Sequence, residues 1–276
     1  MGKKTLIVHN TMSGNARKVD AEWVRSAYAK GDAVTTVSLT EAGQDYDVEG
    51  FDKLVVCGGD GTVNVAVNKC KDRDVEIYCY PSGTLNERAK ASGEKERVTK
   101  MGSVNGDLFT YVCATGAFTE IGYSAHCADK QRLKKGAYIG KILSAYKPYA
   151  IEGRITADRT YAGVYSLIMV IDADRCFGFR FNRAYDKAGD KLFFLLIKNR
   201  GQGLLGKIRI FFPFFRTFFI GFNGEYHSKN IDFFPAERGE IVLKEEQVFC
   251  VDGERREPGK LLRIEKKEIV PTLYVL

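Results

Sequence analysis

The sequence predicts an α/β domain followed by an all-β domain, and three observations carry that prediction. Residues 4–90 alternate short apolar runs with helix-forming segments, as the strands and helices of a parallel sheet do. In the middle of this part, the apolar run 54–57 meets Gly58-Gly59-Asp60-Gly61-Thr62 and then another helix-forming segment. From about residue 107 the pattern changes to strands in succession, with few helical interruptions. The expected boundaries are 1–106 for the first domain and 107–265 for an antiparallel β-sandwich.

In chain order, 4–9 reads as the first strand, followed by the polar turn Asn10 to Ala16 and a helix that holds Trp23. Residues 34–39 form a second strand ending at Thr40, and an acidic connection over 41–50 leads to the central strand. That strand, 54–57, is apolar throughout, as a strand buried on both faces must be. Gly58, Gly59 and Gly61 allow positive φ and remove side-chain bulk, so a large ligand can approach the backbone. Thr62 is expected to cap a helix running to about 69, whose N-terminal amides favour an anion. A carboxylate at Asp60 would repel phosphate unless a cation stood between them, which points to a Mg²⁺-bound nucleotide. The loop matches neither G-x-x-x-x-G-K-[ST] nor G-x-G-x-x-G. Residues 76–80 then enter Pro81-Ser82-Gly83-Thr84-Leu85-Asn86-Glu87, a second phosphate-friendly turn in which Thr84 or Asn86 opens a helix.

The remaining strands are expected at 109–114, 161–172, 175–181, 191–198, 229–234, 240–243, 248–251 and 261–265, with helices at about 124–146 and 203–218. The segment 208–220 is the most apolar in the chain, and its phenylalanines with Lys207, Arg209 and Arg216 suit either a bilayer surface, an acyl channel or a core. Pro213 is expected to break its regularity.

Composition narrows the class. The 276 residues are 45% hydrophobic and 28% charged, with a net charge of +7, which suits anionic partners such as nucleotides or acidic lipid. No arginine-rich tract or recognition motif supports nucleic acid. Seven cysteines are scattered without C-x-x-C spacing, and three histidines lack ligand spacing, so the thiols read as reduced core residues. Met1-Gly2-Lys3-Lys4 leads directly into a strand, without the pattern of a secretory signal, and no apolar run reaches membrane-spanning length. A cytoplasmic protein with peripheral membrane association is expected.

The order Asn10-x-x-Ser13-Gly14, then Gly58-Gly59-Asp60-Gly61-Thr62-x-Asn64-x-x-x-Asn68, then Pro81-x-Gly83-Thr84-x-Asn86 resembles the diacylglycerol kinase catalytic domain. It is especially similar to the bacterial soluble lipid kinases, relatives of sphingosine and ceramide kinases within the NAD kinase and phosphofructokinase superfamily. The resemblance implies a Rossmann-like three-layer first domain, a second domain that takes the lipid, and a last strand, 266–276, that returns to the first. It also implies ATP contacts at Asn10, Ser13, Gly14, Thr40, Gly58, Gly59, Gly61, Thr62, Asn64, Gly83, Thr84 and Glu87.

Val251-Asp252-Gly253-Glu254 falls where the family carries its general base, which implies Asp252 as the base, Glu254 as its partner and Asp60 organising Mg²⁺ or the transferred phosphate. Asp186 and Asp190 fall near the aspartate-rich turn that holds a structural Mg²⁺ in bacterial members.

The chain departs from the family pattern at Thr11 (usually Pro), Val65 (usually Glu), Glu87-Arg88 (usually Asp-Phe) and Phe118 (commonly Asp, with Glu120 nearby). The expected activity is ATP-dependent phosphorylation of a lipid hydroxyl, with diacylglycerol giving phosphatidic acid and a homodimer as the possible assembly. The alternatives are a non-catalytic nucleotide- or lipid-binding protein on the same fold, and an NAD kinase.

Overall fold

The computed structural model describes residues 2–41, 43–92, 96–117, 119, 149–201 and 203–275. The helix expected at 124–146, and Phe118, Glu120 and Cys127, lie outside them. The described residues divide into two compact units, one of 2–101 and 268–275, the other of 102–117, 119 and 149–267.

The first unit is α/β. Strands β1 (Lys4–Asn10), β2 (Ala33–Leu39), β3 (Lys53–Gly58) and β4 (Glu76–Pro81) are parallel in the order β2-β1-β3-β4. Residues Thr272 to Val275 add a fifth parallel strand beside β4. Helix α1 (Ala21–Tyr28) starts where the Asp20 carboxylate accepts from the amides of Glu22 and Trp23, each at 3.0 Å. Its Val24 packs on Ile7, Val55 and Cys57, which share one face of the sheet by strand alternation. The intervening Leu6, Val8, Leu54 and Val56 are equally buried, so β3 is covered on both faces. Helix α2 (Asp60–Lys69) packs on β3 and β4 through a side that carries Val63, Ala66 and Val67, and α3 (Glu87–Ser92) follows β4. Strand order 2-1-3-4 puts the reversal of direction between β1 and β3, and ligands of such sheets bind beyond the strand ends at that point.

The second unit is antiparallel β. Strand β5 (Glu96–Val104) leads into it and its last residues pair with β6 (Asp107–Phe109). Strands β7 (Val112–Gly116), β8 (Ile151–Thr156) and β9 (Thr160–Ile171) follow. The long β9 is the hub: its first half pairs with β8 and its second half with β7, while its other edge carries β12 (Leu192–Lys198). Between them, β10 (Arg175–Cys176) and β11 (Phe179–Arg180) form a small hairpin.

Helix α4 (Gly203–Phe215) continues through Arg216–Ile220 as a wider π-turn, so Pro213 does not end it. Strands β13 (Tyr226–His227), β14 (Ile231–Ala236), β15 (Arg238–Leu243), β16 (Phe249–Val251), β17 (Glu254–Arg256) and β18 (Leu261–Val275) complete the chain. The core draws Phe109, Ile155, Ile168, Phe194, Phe249 and Leu262 from separate strands. Strands β5 and β8 escaped the sequence reading, and the two short strands expected near the C-terminus are one, β18.

Within this apolar unit lies an ion pair between Lys266 and Asp172, whose side chains are almost fully shielded; Asp172 also accepts from the Gly102 amide at 3.2 Å. Lys266→Met strips a buried carboxylate of its cation and is expected to cost about 3–5 kcal/mol in chemical denaturation, while adding Asp172→Leu restores part of the loss.

Candidate functional site

Three loops leave the C-terminal ends of β1, β3 and β4, and hydrogen bonds tie them into one assembly. Asn10 Nδ2 donates to Thr62 Oγ1 at 2.9 Å across the β1/β3 reversal. Ser13 Oγ lies 3.0 Å from Ser82 Oγ, and the Asn15 amide nitrogen donates to Ser82 O at 2.8 Å. Asn15 Nδ2 and Asn86 Nδ2 both donate to Gly83 O, at 2.7 and 2.9 Å. The Ser82 amide donates to Gly58 O at 2.9 Å. Asn15, Ser82 and Asn86 are thus structural members of the site, and only their place in motif-bearing turns hinted at it.

The glycines serve close approach rather than positive φ. Gly59 has φ −93° and ψ −177°, Gly58 belongs to β3 and Gly61 to the first turn of α2. A Cβ on Gly83 would stand 2.5 Å from Gly59 Cα, and one on Gly58 would stand 2.5 Å from Thr62 Cβ. The left-handed residue is Asn86, at φ 48°. Thr62 is not the cap of α2; Gly59 holds that place and Thr62 sits in the first turn.

Asp60 has a task the sequence did not suggest. Its Oδ2 accepts from the Glu87 amide at 2.9 Å and its Oδ1 from the Arg88 amide at 3.2 Å. It therefore caps α3 from another loop, in place of the Thr84 or Asn86 side chain expected to open that helix. Burial pushes its pKa up, while the amides pull it down. Its carboxylate thereby joins two loops.

The other expected contacts fall into two groups. Asn10, Ser13, Gly14, Thr40, Thr62 and Thr84 stand on or beside the loops and are partly or fully exposed. The Thr40 amide, at the end of β2, donates to Gln44 Oε1 at 2.8 Å. Asn64 and Glu87, by contrast, are 2% and 0% exposed. Asn64 accepts from Asn68 Nδ2 within α2, at O (3.0 Å) and at Oδ1 (3.3 Å).

In the second unit, Asp252 and Gly253 form the two-residue turn between β16 and β17, both with positive φ (51° and 91°), the Asp-Gly geometry of a tight hairpin. Asp252 is 2% exposed. Its carboxylate accepts from the amides of Thr110, Tyr111 (2.9 Å) and Val112 (3.1 Å), and its own amide donates to Val112 O at 3.0 Å. Burial outweighs these bonds and pushes its pKa up to about 6. Glu254 stands opposite Val251 in the hairpin with its side chain exposed, so the two carboxylates expected to act as partners are divided between interior and surface.

Asp186 and Asp190 are both exposed. Asp186 Oδ1 accepts from the Ala188 amide at 3.0 Å in a self-contained turn. Among the described residues no group of three or more His, Cys, Asp or Glu side chains is placed to hold a metal. The six described cysteines are all buried thiols outside any disulfide.

Chemically, the first unit offers a helix N-terminus whose Gly61 and Thr62 amides have no acceptor within α2, flanked by the hydroxyls of Ser13 and Thr62 and the Asn10 amide. That donor set fits phosphate oxygens. Mg²⁺ typically keeps several waters and binds through phosphates with one or two carboxylates, so it needs no all-protein cage here.

Comparison with known proteins agrees with this geometry. Residues 4–106 match the family model of the diacylglycerol kinase catalytic domain. The chain is 24% identical over 281 aligned positions to the diacylglycerol kinase of Bacillus subtilis (strain 168), covering 91% of this chain and 90% of that one. It shares its fold with a Bacillus anthracis crystal structure described as a diacylglycerol kinase, with a TM-score of 0.64, 18% identity, and 99% and 96% of the two chains covered. Another solved Bacillus anthracis structure reaches a TM-score of 0.70 at the same identity and coverage.

Two outcomes follow from the site. Gly83→Ala forces the loops apart and is expected to destabilise the protein by about 1–3 kcal/mol in chemical denaturation. For Asp252 the raised pKa means that the folded state holds the proton more tightly than the unfolded chain. Its contribution is fully present below about pH 4 and is lost as pH rises through about 6. The stability margin of wild type over Asp252→Asn is therefore expected to shrink by about 1 kcal/mol between about pH 5 and 7.5, read from denaturation curves at each pH.

Proposed function

We propose that this chain, whose residues 4–106 match the family model of the diacylglycerol kinase catalytic domain, is a lipid kinase that transfers the γ-phosphate of ATP to a lipid hydroxyl, with diacylglycerol as acceptor and phosphatidic acid as product. The observation that carries the reading is the three-loop assembly at the β1/β3 reversal, with the N-terminus of α2 among the loops. Asn10, Ser13, Thr62 and the α2 amides bind the nucleotide phosphates; Gly58, Gly59 and Gly83 keep the loops close enough to do so. Asn64 and Glu87 act from beneath. Bound Mg²⁺ neutralises phosphate charge, and Asp60 is the carboxylate the glycine loop itself supplies.

In the second unit, Asp252 accepts the proton of the lipid hydroxyl. Phosphoryl transfer with a loose transition state asks mainly for positioning and charge neutralisation, so a base need only orient the hydroxyl and take its proton. A pKa of about 6 leaves Asp252 mostly ionised at neutral pH yet basic enough to accept it. Lost protonation capacity predicts an acid limb in kcat/KM near the same pH.

One observation favours a second reading, a non-catalytic binding protein: the Asp252 carboxylate is engaged by three backbone amides and so already serves the fold. The deciding experiment is transfer from γ-labelled ATP and Mg²⁺ to a panel of lipids in mixed micelles, with NAD in parallel and Asp252→Asn beside wild type. Labelled lipid, falling roughly 100-fold or more in the variant while ATP affinity stays within about threefold, supports the kinase. ATP binding without product supports the binding protein, and labelled NADP moves the assignment to an NAD kinase. Because Asp252→Asn also weakens the turn, its folded fraction is measured in the same buffer.

A further inference from the structure

We propose that the outer face of α4 and the turn after it is a docking surface for an anionic lipid bilayer. The proposal deepens the lipid-kinase reading, and rests on it for the purpose of docking but not for the surface itself. Ile210, Pro213, Phe214 and Thr217 seat the helix in the second unit, and Phe218 meets Phe181 edge-on at 5.3 Å. Arg216 fastens its end, lying 4.8 and 4.7 Å from the Phe222 and Tyr226 rings.

On the opposite side Phe211, Phe212, Phe215, Phe219 and Ile220 are 39–65% exposed. They form a continuous strip, with Phe211–Phe215 and Phe215–Phe219 ring centroids 5.9 and 5.0 Å apart. The helix is therefore well anchored while its most apolar side faces outward.

Area and charge choose the occupant. At about 200 Å² for an aromatic side chain, these exposures leave roughly 500 Å² of apolar surface, near the top of what monomers carry. Two such strips against each other would bury about 1,000 Å², short of the roughly 1,200–2,000 Å² of a stable protein interface. Exposed Arg209 lies on the same helix. Exposed Arg180 follows Phe179, whose ring is 5.3 Å from Phe219, and the amide of exposed Arg183 donates to Phe222 O at 2.8 Å. Of these Arg180 is paired with Asp174 at 2.7 Å. A phenylalanine strip with an arginine rim matches the acyl boundary and headgroups of an acidic leaflet. Among the described residues no helix is long and apolar enough to cross a membrane, so the strip lies on the bilayer through this helix rather than spanning it.

The test is co-sedimentation of the full chain, without nucleotide, with phosphatidylcholine vesicles containing about 30% phosphatidylserine and with phosphatidylcholine alone. Wild type is expected to sediment with the acidic vesicles, and Phe212→Ser with Phe215→Ser to lose roughly tenfold or more of that binding. Phe212→Trp should keep it and shift its emission to the blue on vesicles, against the constant signal of Trp23, the only native tryptophan.

Wild type left in the supernatant overturns the proposal, as does a double variant that binds as well as wild type. So does light scattering that shows a wild-type dimer made monomeric by the double variant, which would assign the strip to a second copy. Vesicle binding without lipid phosphorylation would sink the kinase reading and leave the surface standing; the reverse result would do the opposite.

Discussion

The contact between Gly59 and Gly83 is the constraint on which the first unit's site depends. Backbone meets backbone there, with no room for a Cβ on Gly83. Only because the two loops approach this closely can Asp60, one residue after Gly59, reach the amides that begin α3. The same closeness lets Ser82 donate to Gly58 O, and Ser13 and Asn15 lock onto the second loop. An anion at the head of α2 would therefore meet a surface whose parts are fixed before it arrives, and preorganised donors of this kind need no rearrangement when charge develops.

A second theme is the carboxylate held by backbone amides. Asp60 joins two loops of the first unit; Asp252 joins the β16–β17 turn to residues 110–112; Asp172 accepts from Gly102 and pairs with Lys266. In each case one side chain closes a gap between segments distant in sequence. Amides favour the charged form and burial disfavours it, and for Asp60 and Asp252 burial wins. The outcome at Asp252 is a carboxylate that anchors a turn and also titrates close to neutrality. A structural anchor and a proton acceptor are compatible roles, but a single substitution disturbs both.

Much of the first unit was legible because its signals are local. Parallel strands buried on both faces read as unbroken apolar runs, and glycine turns mark their ends, so β1 to β4 and α2 fell close to where they were expected. The errors came from reading local chemistry where tertiary chemistry decides. Thr62 looks like a cap, yet its hydroxyl is taken by Asn10, 52 residues earlier in the chain. Asp60 also caps a helix 27 residues on, a task its own loop does not announce. The Asp252 turn was recognisable as Asp-Gly, but nothing in that pair announces the amides of Thr110 to Val112. β8 was missed because its exposed polar positions and Gly153 dilute the apolar pattern.

The phenylalanines show the same limit in a sharper form. Composition cannot separate those of α4 that pack inward from those that face out, because both are phenylalanine. The helical period can: positions 210, 214 and 217 face the core, while 211, 215 and 219 share the other side. A helix meant only to fill a core would need no apolar residues on that second side, and a helix meant for water would carry polar ones. Apolar residues on both sides suit a helix whose two faces meet two apolar media, the protein interior on one side and something outside the chain on the other. The π-turn at its end, anchored by Arg216, holds Phe219 and Ile220 to the outer strip where the regular period alone would begin to carry them away.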